Sequence, residues 1–196
     1  FLDGKKKLSF LARYFNRRGY AALRFDYSGM GESEGEFNTM TISREAADVC
    51  SAIDFMRNAS RVNPDKVGVI GYSFGGTAAV LCAARTQGVQ CLGLLASAWD
   101  IRETIKRMFS SKKIKKWQRD GAITLWSFPP FRKYNLDVNF MQDALECSPV
   151  FEKNKICVPT LFMQGERDRW MPVSRAFSAF EQTNSPKKIC ILRYCG

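Results

Sequence analysis

Short apolar runs alternate with helical patterns along most of the chain. A run of about four to eight apolar residues between turn residues indicates a buried strand, whereas apolar residues spaced three or four apart indicate a helix. The runs predict strands at 20–25, 66–70, 91–96, 160–164 and 188–194, and the helical patterns lie at 8–15, 41–57, 77–85 and 173–180. Thr41 or Ser43 is the expected cap of the second helix. This alternation predicts an α/β fold, a mostly parallel sheet with helices on both faces.

The alternation breaks between residues 98 and 150. That stretch contains a basic run, three tryptophans and the pair Pro129-Pro130, without a regular order of strands and helices. We therefore expect one domain whose core is formed by 1–97 and 151–196, with 98–150 inserted as a lid or cap. The aromatic residues of the insertion either line an acyl or aromatic pocket or form its core: Trp117, Trp126, Phe128 and Phe131.

Positive charge is concentrated in the same insertion. The formal net charge is +11, and eight basic residues lie between Arg102 and Arg119 against one acid, Glu103. Apolar residues recur there at helical spacing: Ile101, Ile105, Met108 and Phe109. We expect a cap helix with a solvated basic side; a helix that steers anionic substrates or touches a membrane surface is the alternative. The cluster belongs to no recognition motif, so no nucleic-acid partner is predicted.

The cysteine and histidine counts restrict the chemistry. The seven cysteines are odd in number, form no Cys-x-x-Cys pair and mostly lie in or beside apolar runs. This usage predicts free thiols in a reducing, cytoplasmic compartment. Histidine is absent, which excludes histidine metal ligands and a histidine base within these residues. No apolar run reaches the roughly 18 residues that a membrane-spanning helix needs.

A nucleophile motif lies between a predicted strand and a predicted helix. Gly71-Tyr72-Ser73-Phe74-Gly75 fits G-x-S-x-G, in which small residues allow a sharp turn that presents the serine. The hydroxyl then stands at a helix N-terminus, where backbone N–H groups favour developing negative charge. The motif predicts Ser73 as a nucleophile, and the alternative is a tight turn with an ordinary capping serine.

A candidate acid follows the strand at 160–164. Asp168 lies in the loop that ends at Pro172, and catalytic groups collect at the carboxyl edge of parallel sheets. The chain order, serine before acid, fits a nucleophile elbow followed by its acid and then a histidine. Glu166 and Asp100 are the competing candidates.

Three motifs in this order resemble the α/β-hydrolase family, most closely its cinnamoyl/feruloyl esterase-like and serine-aminopeptidase-like (S33-type) hydrolases. They lie at 19–35, 71–76 and 158–168. The resemblance implies the α/β-hydrolase fold, with Ser73 as nucleophile and Asp168 as the acid of a catalytic triad. It also implies an oxyanion hole formed by the backbone N–H groups of Phe1 and Phe74.

Compared with that family, both ends of the chain look clipped. Its first strands would precede Phe1, and its catalytic histidine would follow Gly196; a natural inactive hydrolase is the alternative. The resemblance implies a serine hydrolase, a carboxylesterase acting on small acyl or aryl esters, without cofactor or metal. A serine peptidase or thioesterase of the same fold, which would also act on a small ester or amide, and a non-catalytic binding domain are the alternative functions.

Overall fold

Four parallel strands form the central sheet in the computed structural model, which describes residues 3–127, 132–152 and 155–196. The strands are β1 (Gly68–Tyr72), β2 (Cys91–Leu95), β3 (Ala122–Ser127), β4 (Arg132–Asp137), β5 (Thr160–Gly165) and β6 (Lys187–Leu192). The parallel sheet has the order β1-β2-β5-β6, and β3 pairs with β4 in a separate antiparallel sheet. All four parallel strands end at one edge of the sheet, and the predicted α/β class is confirmed.

The helices are α1 (Asp3–Asn16), α2 (Ile42–Arg57), α3 (Phe74–Arg85), α4 (Ile101–Met108), α5 (Ser111–Asp120), α6 (Asn139–Glu146), α7 (Pro149–Glu152) and α8 (Val173–Gln182). One 3-10 turn precedes α2 at Phe37–Thr39. Among the described residues, no helix combines the length and apolarity that crossing a bilayer requires.

The core lies between the sheet and helices α2 and α3. Helix α3 packs on both β1 and α2, and its residues 76–82 are all buried. Helix α2 begins after Thr41, whose hydroxyl accepts the backbone N–H of Arg44 at 3.2 Å, so Thr41 is the cap of the two candidates. The backbone N–H of Ser43 instead donates to the Asp143 carboxylate at 2.9 Å.

The strand predicted at 20–25 is wrong. These residues have no regular secondary structure, and their large apolar side chains are exposed, Tyr20 by 63% and Phe25 by 42%. An extended segment becomes a strand only when a neighbour takes up its backbone hydrogen bonds. Within the part of the chain that the structure describes, no strand pairs with this segment.

The segment 98–150 contains more regular structure than its sequence predicts. Strands β3 and β4 place Leu125 opposite Tyr134, and helices α4 to α7 surround them in the chain. Trp117 of α5 is fully buried; its indole N–H donates to the carbonyl of Leu136 at 3.1 Å. Trp117 is therefore core rather than pocket lining, whereas Trp126 is 55% exposed. Phe128 and Phe131 lie outside the described residues.

The apolar side of α4 faces the core, as the helical spacing predicts. Ile101 and Ile105 are buried, while the basic residues of α4 and α5 are exposed. This burial confirms that the apolar side of the helix packs on the core, and the role of its exposed basic side stays a prediction.

One cysteine pair departs from the expected free thiols. Cys50 of α2 and Cys82 of α3 form a disulfide, with Cα atoms 5.7 Å apart. The two cysteines meet because the apolar sides of both helices pack against each other, a contact that their separation in sequence conceals. The cytoplasmic location stays a prediction.

Candidate active site at the carboxyl ends of the strands

Ser73 occupies the corner between β1 and α3. Its backbone has φ 56° and ψ −124°, a combination that costs a non-glycine residue free energy. Backbone hydrogen bonds hold the corner in place. The N–H of Ser73 donates to the carbonyl of Leu95 at 3.0 Å, and its carbonyl accepts the N–H groups of Gly76 and Ala98 at 3.0 and 3.2 Å. The strand–turn–helix context predicted for this serine is therefore present.

The corner is tight because strand and helix backbones touch. A Cβ atom on Gly71 would overlap the carbonyl oxygen of Gly75 and lie 2.5 Å from the Cα of Gly76. Gly76 in turn packs against the hydroxyl of Ser97, and a Cβ on Gly75 would lie 3.2 Å from the Tyr27 hydroxyl. Only glycine at position 71 permits this approach of β1 to α3.

Asp168 lies beyond the end of β5, at the same edge of the sheet as Ser73. Its Oδ1 accepts the backbone N–H groups of Trp170 and Met171, both at 2.9 Å, and the side-chain amide of Gln164 donates to Oδ2 at 3.3 Å. Strand β2 lies between β1 and β5, so two strand spacings, roughly 10 Å, separate the two strand ends. That separation leaves room for a third side chain between serine and acid.

The two competing acids have structural partners of their own. Asp100 caps α4 by accepting the N–H of Glu103 at 3.1 Å, and it lies 3.5 Å from the guanidinium of Arg175. Glu166 accepts the backbone N–H of Tyr194 at 3.1 Å. These contacts give both carboxylates a structural role, as the N–H groups of Trp170 and Met171 do for Asp168, and the choice of Asp168 as the acid stays a prediction.

Of the two predicted oxyanion donors, the backbone N–H of Phe74 lies within the described residues. Phe74 begins α3, and the N–H groups of a first helical turn have no acceptor within the helix. Its ring packs edge-on against Phe140 of α6, with 5.8 Å between the ring centroids. Phe1, the other predicted donor, lies outside the described residues.

A crevice opens at this edge between α4 and the loop that follows Asp168. Ser97, Trp99, Thr104 and Trp170 line it. The hydroxyl of Ser97 and the indole N–H of Trp99 are buried without a hydrogen-bond partner among the described residues. The crevice holds only about 10 Å³, room for one water molecule, so a water is the partner that these two donors can reach. No group of described residues has the composition and spacing of a metal site.

A buried acid on α2 is absent from the sequence-based candidates. Glu45 of α2 is 4% exposed, and its Oε2 has no hydrogen-bond partner in the described structure. Burial, together with the nearby Asp48 and Asp143, raises the pKa of Glu45 to about 8. Burial and the same Glu45 raise the pKa of Tyr27 well above its usual range. The sequence signal was present, since Glu45 falls among the buried positions Ile42, Ala46 and Val49 of one helix side.

Glu45→Gln is expected to stabilise the protein increasingly as the pH rises. Because folding raises the pKa of Glu45 from 4.5 to about 8, the folded state binds a proton that the unfolded state releases between these values. The unfolding free energy of the wild type therefore falls as the pH rises from 4.5 to 8. Because glutamine cannot ionise, the variant avoids this fall, which amounts to about 4 kcal/mol at pH 8. The free energy of unfolding in urea, measured at several pH values, tests this.

Glu146→Gln is the matched control, since Glu146 is an exposed carboxylate on α6. It should leave the pH dependence of the unfolding free energy unchanged. Parallel curves for wild type and Glu45→Gln would contradict a buried, protonated Glu45.

Comparisons with known proteins place the chain among hydrolases. The family model of the X-Pro dipeptidyl-peptidases (S15 family) matches residues 3–145. The mitochondrial palmitoyl-protein thioesterase ABHD10 of Rattus norvegicus is 25% identical over 197 residues, covering 98% of this chain and 63% of that protein. The chain thus spans less than two thirds of this relative's length.

Solved structures show the same fold at low identity. Est1E from Butyrivibrio proteoclasticus, with ferulic acid bound, has a TM-score of 0.70 at 22% identity, covering 86% of this chain and 65% of that one. Mouse alpha/beta hydrolase domain-containing protein 10 has a TM-score of 0.69 at 23% identity, covering 94% of this chain and 72% of that one. The sheet and its flanking helices are therefore those of an α/β hydrolase.

Proposed function

Because the chain belongs to the X-Pro dipeptidyl-peptidase (S15) family and has the α/β-hydrolase fold, we propose that it is a serine hydrolase acting on carboxylic esters with small acyl or aryl groups. The observation that carries the proposal is the backbone of Ser73, held at φ 56° in a corner between strand and helix. A serine is kept in so unfavourable a conformation where its hydroxyl must be presented to a substrate.

The proposed reaction is acyl transfer through Ser73. Its Oγ attacks the carbonyl carbon of the ester while an imidazole accepts the hydroxyl proton. The N–H of Phe74, with a second donor at the position of Phe1, stabilises the oxyanion. The alcohol then leaves with the proton from the imidazolium, and water, activated by the same imidazole, hydrolyses the acyl-enzyme. Asp168 orients the imidazole and stabilises its positive charge.

The imidazole has to come from outside these 196 residues, which contain no histidine. The fold of the last residues is compatible with this. The N–H of Arg167 donates to the carbonyl of Cys195 at 2.6 Å, and a Cβ on Gly196 would lie 2.7 Å from the carbonyl oxygen of Arg167. Gly196 therefore lies beside the loop of Asp168, and a histidine a few residues beyond it would start close to that acid.

Thioester hydrolysis is a second candidate, favoured by the similarity to a palmitoyl-protein thioesterase along 98% of this chain. Peptide hydrolysis, the activity for which the S15 family is described, is a third. The three candidate activities differ in the group that leaves the carbonyl carbon. An amide nitrogen must be protonated to leave, whereas an aryl oxygen or a thiolate leaves unaided.

Imidazole in solution is expected to accelerate hydrolysis of para-nitrophenyl acetate by this chain beyond the reaction of imidazole alone. The added base replaces the missing histidine next to Ser73. Ser73→Ala should lose the whole protein-dependent increment, because no hydroxyl remains to be acylated. Ser51→Ala, an exposed serine of α2, is the matched control and should retain it.

Mass spectrometry of the stalled reaction should find the acetyl group on the peptide that contains Ser73. The matched thioester and alanyl-prolyl para-nitroanilide, assayed in the same way, rank the three leaving groups. Equal increments in wild type and Ser73→Ala would refute the serine mechanism, and a faster thioester or anilide would reassign the substrate.

A further inference from the structure

Helix α5 carries a cationic face on the outside of the molecule. We define this face by the five basic residues of the helix, Lys112, Lys113, Lys115, Lys116 and Arg119, all of which are exposed. Four of them recur at spacings of three and four, which places them on one side of a helix. Asp120 is the single acid of the ten-residue helix, and α4 adds three more exposed cations before it.

Little of this charge is neutralised. Lys116 and Arg119 share the carboxylate of Asp120, at 2.5 and 2.7 Å. Lys113 lies over the ring of Phe109, 5.1 Å from its centroid. Lys112 and Lys115 form no ion pair with any residue in the described ranges. A field of this size attracts an anionic partner and decays over about a Debye length.

The opposite side of α5 holds the helix in a fixed orientation. Trp117 stacks on Phe140 at 6.2 Å between centroids, and Phe140 packs edge-on against Phe74, the residue after Ser73. The apolar side is thus occupied by the core and is not free to enter a bilayer. The cationic face can therefore adsorb to a partner by charge, without rotation or insertion of the helix.

An exposed tryptophan lies on the strand that continues from α5. Strand β3 begins one residue after the helix, and Trp126 on it is 55% exposed. The ammonium of Lys133, its partner on β4, lies 4.9 Å from the indole centroid. Indole rings with neighbouring cations favour the headgroup region of a membrane.

We propose that the cationic face docks the protein on the surface of an anionic phospholipid bilayer and that the exposed Trp126 reaches the same surface. The cations are spread along the convex outside of a helix rather than gathered in a pocket, so they fit an extended negative surface better than one small phosphate. Each basic residue near such a surface contributes about a fivefold gain in binding. This docking is independent of the proposed catalysis, and its test measures binding only.

The experiment compares two variants of equal charge in flotation with vesicles. Lys112→Gln/Lys115→Gln/Lys116→Gln removes three of the four cations that share one side of the helix. Arg61→Gln/Lys66→Gln/Lys188→Gln removes three exposed cations that precede β1 or lie near the start of β6. On vesicles of phosphatidylcholine mixed with phosphatidylserine, the first variant is expected to lose about a hundredfold in partitioning, and the second should stay close to wild type. Circular dichroism checks that both are folded.

Two further measurements complete the test. Wild-type binding should vanish on vesicles of phosphatidylcholine alone and weaken as salt is added. Trp126→Ala should weaken binding to the mixed vesicles, whereas Trp170→Ala, a similarly exposed tryptophan next to Asp168, should not. Equal loss in both triple variants would show that only net charge matters, and would overturn the proposal. Absence of binding to the mixed vesicles, or tighter binding to single-stranded RNA than to them, would also overturn it.

Discussion

Under the proposed triad, Asp168→Asn is expected to lower kcat by about 10⁴-fold in a form of the protein extended to include the proposed histidine, as the same change does in a serine-protease triad. The asparagine amide still accepts one hydrogen bond but lets the imidazole adopt the wrong tautomer and withholds the negative charge. Because both N–H groups held by Oδ1 of Asp168 can still donate to the amide oxygen, the loop should keep its conformation. Steady-state kinetics on an aryl ester measure the effect.

The competing acids supply the controls. Asp100→Asn and Glu166→Gln should each change kcat by less than about tenfold, or about 1.4 kcal/mol of barrier. The reason is that Asp100 caps α4 and Glu166 accepts the backbone N–H of Tyr194. If either control loses most of its kcat while Asp168→Asn retains it, Asp168 is not the acid of the triad. Thermal unfolding of each variant separates a loss of chemistry from a loss of structure.

Gly71→Ala is expected to destabilise the fold by about 5 kcal/mol, near the upper limit for a single substitution. The added methyl group meets the backbone of Gly75 and Gly76, and backbone cannot turn away as a side chain can. Moving α3 off β1 would disturb the burial of residues 76–82. Since domains are typically stable by only 5–15 kcal/mol, much of the protein would unfold, which urea denaturation followed by circular dichroism would show.

Gly121→Ala is the matched control for Gly71→Ala. Gly121 has φ 77°, but a Cβ there would meet no atom within 4 Å. That substitution therefore carries only backbone strain, about 1 kcal/mol. If the two alanines cost the same, the close approach of β1 to α3 is not what requires glycine at position 71.

The sequence predicts the sheet well where local pattern and final environment agree. Strands β1, β2, β5 and β6 are short apolar runs because helices cover them, and each was placed to within two residues at its start and its end. The sequence limits the candidates for the cap of α2 to two residues, Thr41 and Ser43, because capping needs a side-chain oxygen just before the first turn. The strand–turn–helix context of Ser73 was predictable for the same reason, since G-x-S-x-G is a local requirement.

Features that depend on distant partners were missed. Residues 20–25 carry a strand pattern, yet a strand exists only through its neighbour. Strands β3 and β4 were missed because polar residues interrupt them, and their stability comes from pairing with each other. The linking of Cys50 to Cys82 and the burial of Glu45 follow from how α2 packs on α3 and α6, which local spacing does not determine.

The outer edge of β1 affects how this protein behaves in concentrated solution. Within the described ranges no strand covers that edge, and Ile70 and Tyr72 on β1 are 39% and 42% exposed. An uncovered apolar edge is a template for strand pairing between molecules. The formal charge of +11 opposes this by mutual repulsion, which salt screens. We therefore expect these 196 residues to remain dispersed best at low ionic strength, and salting out to favour association through β1.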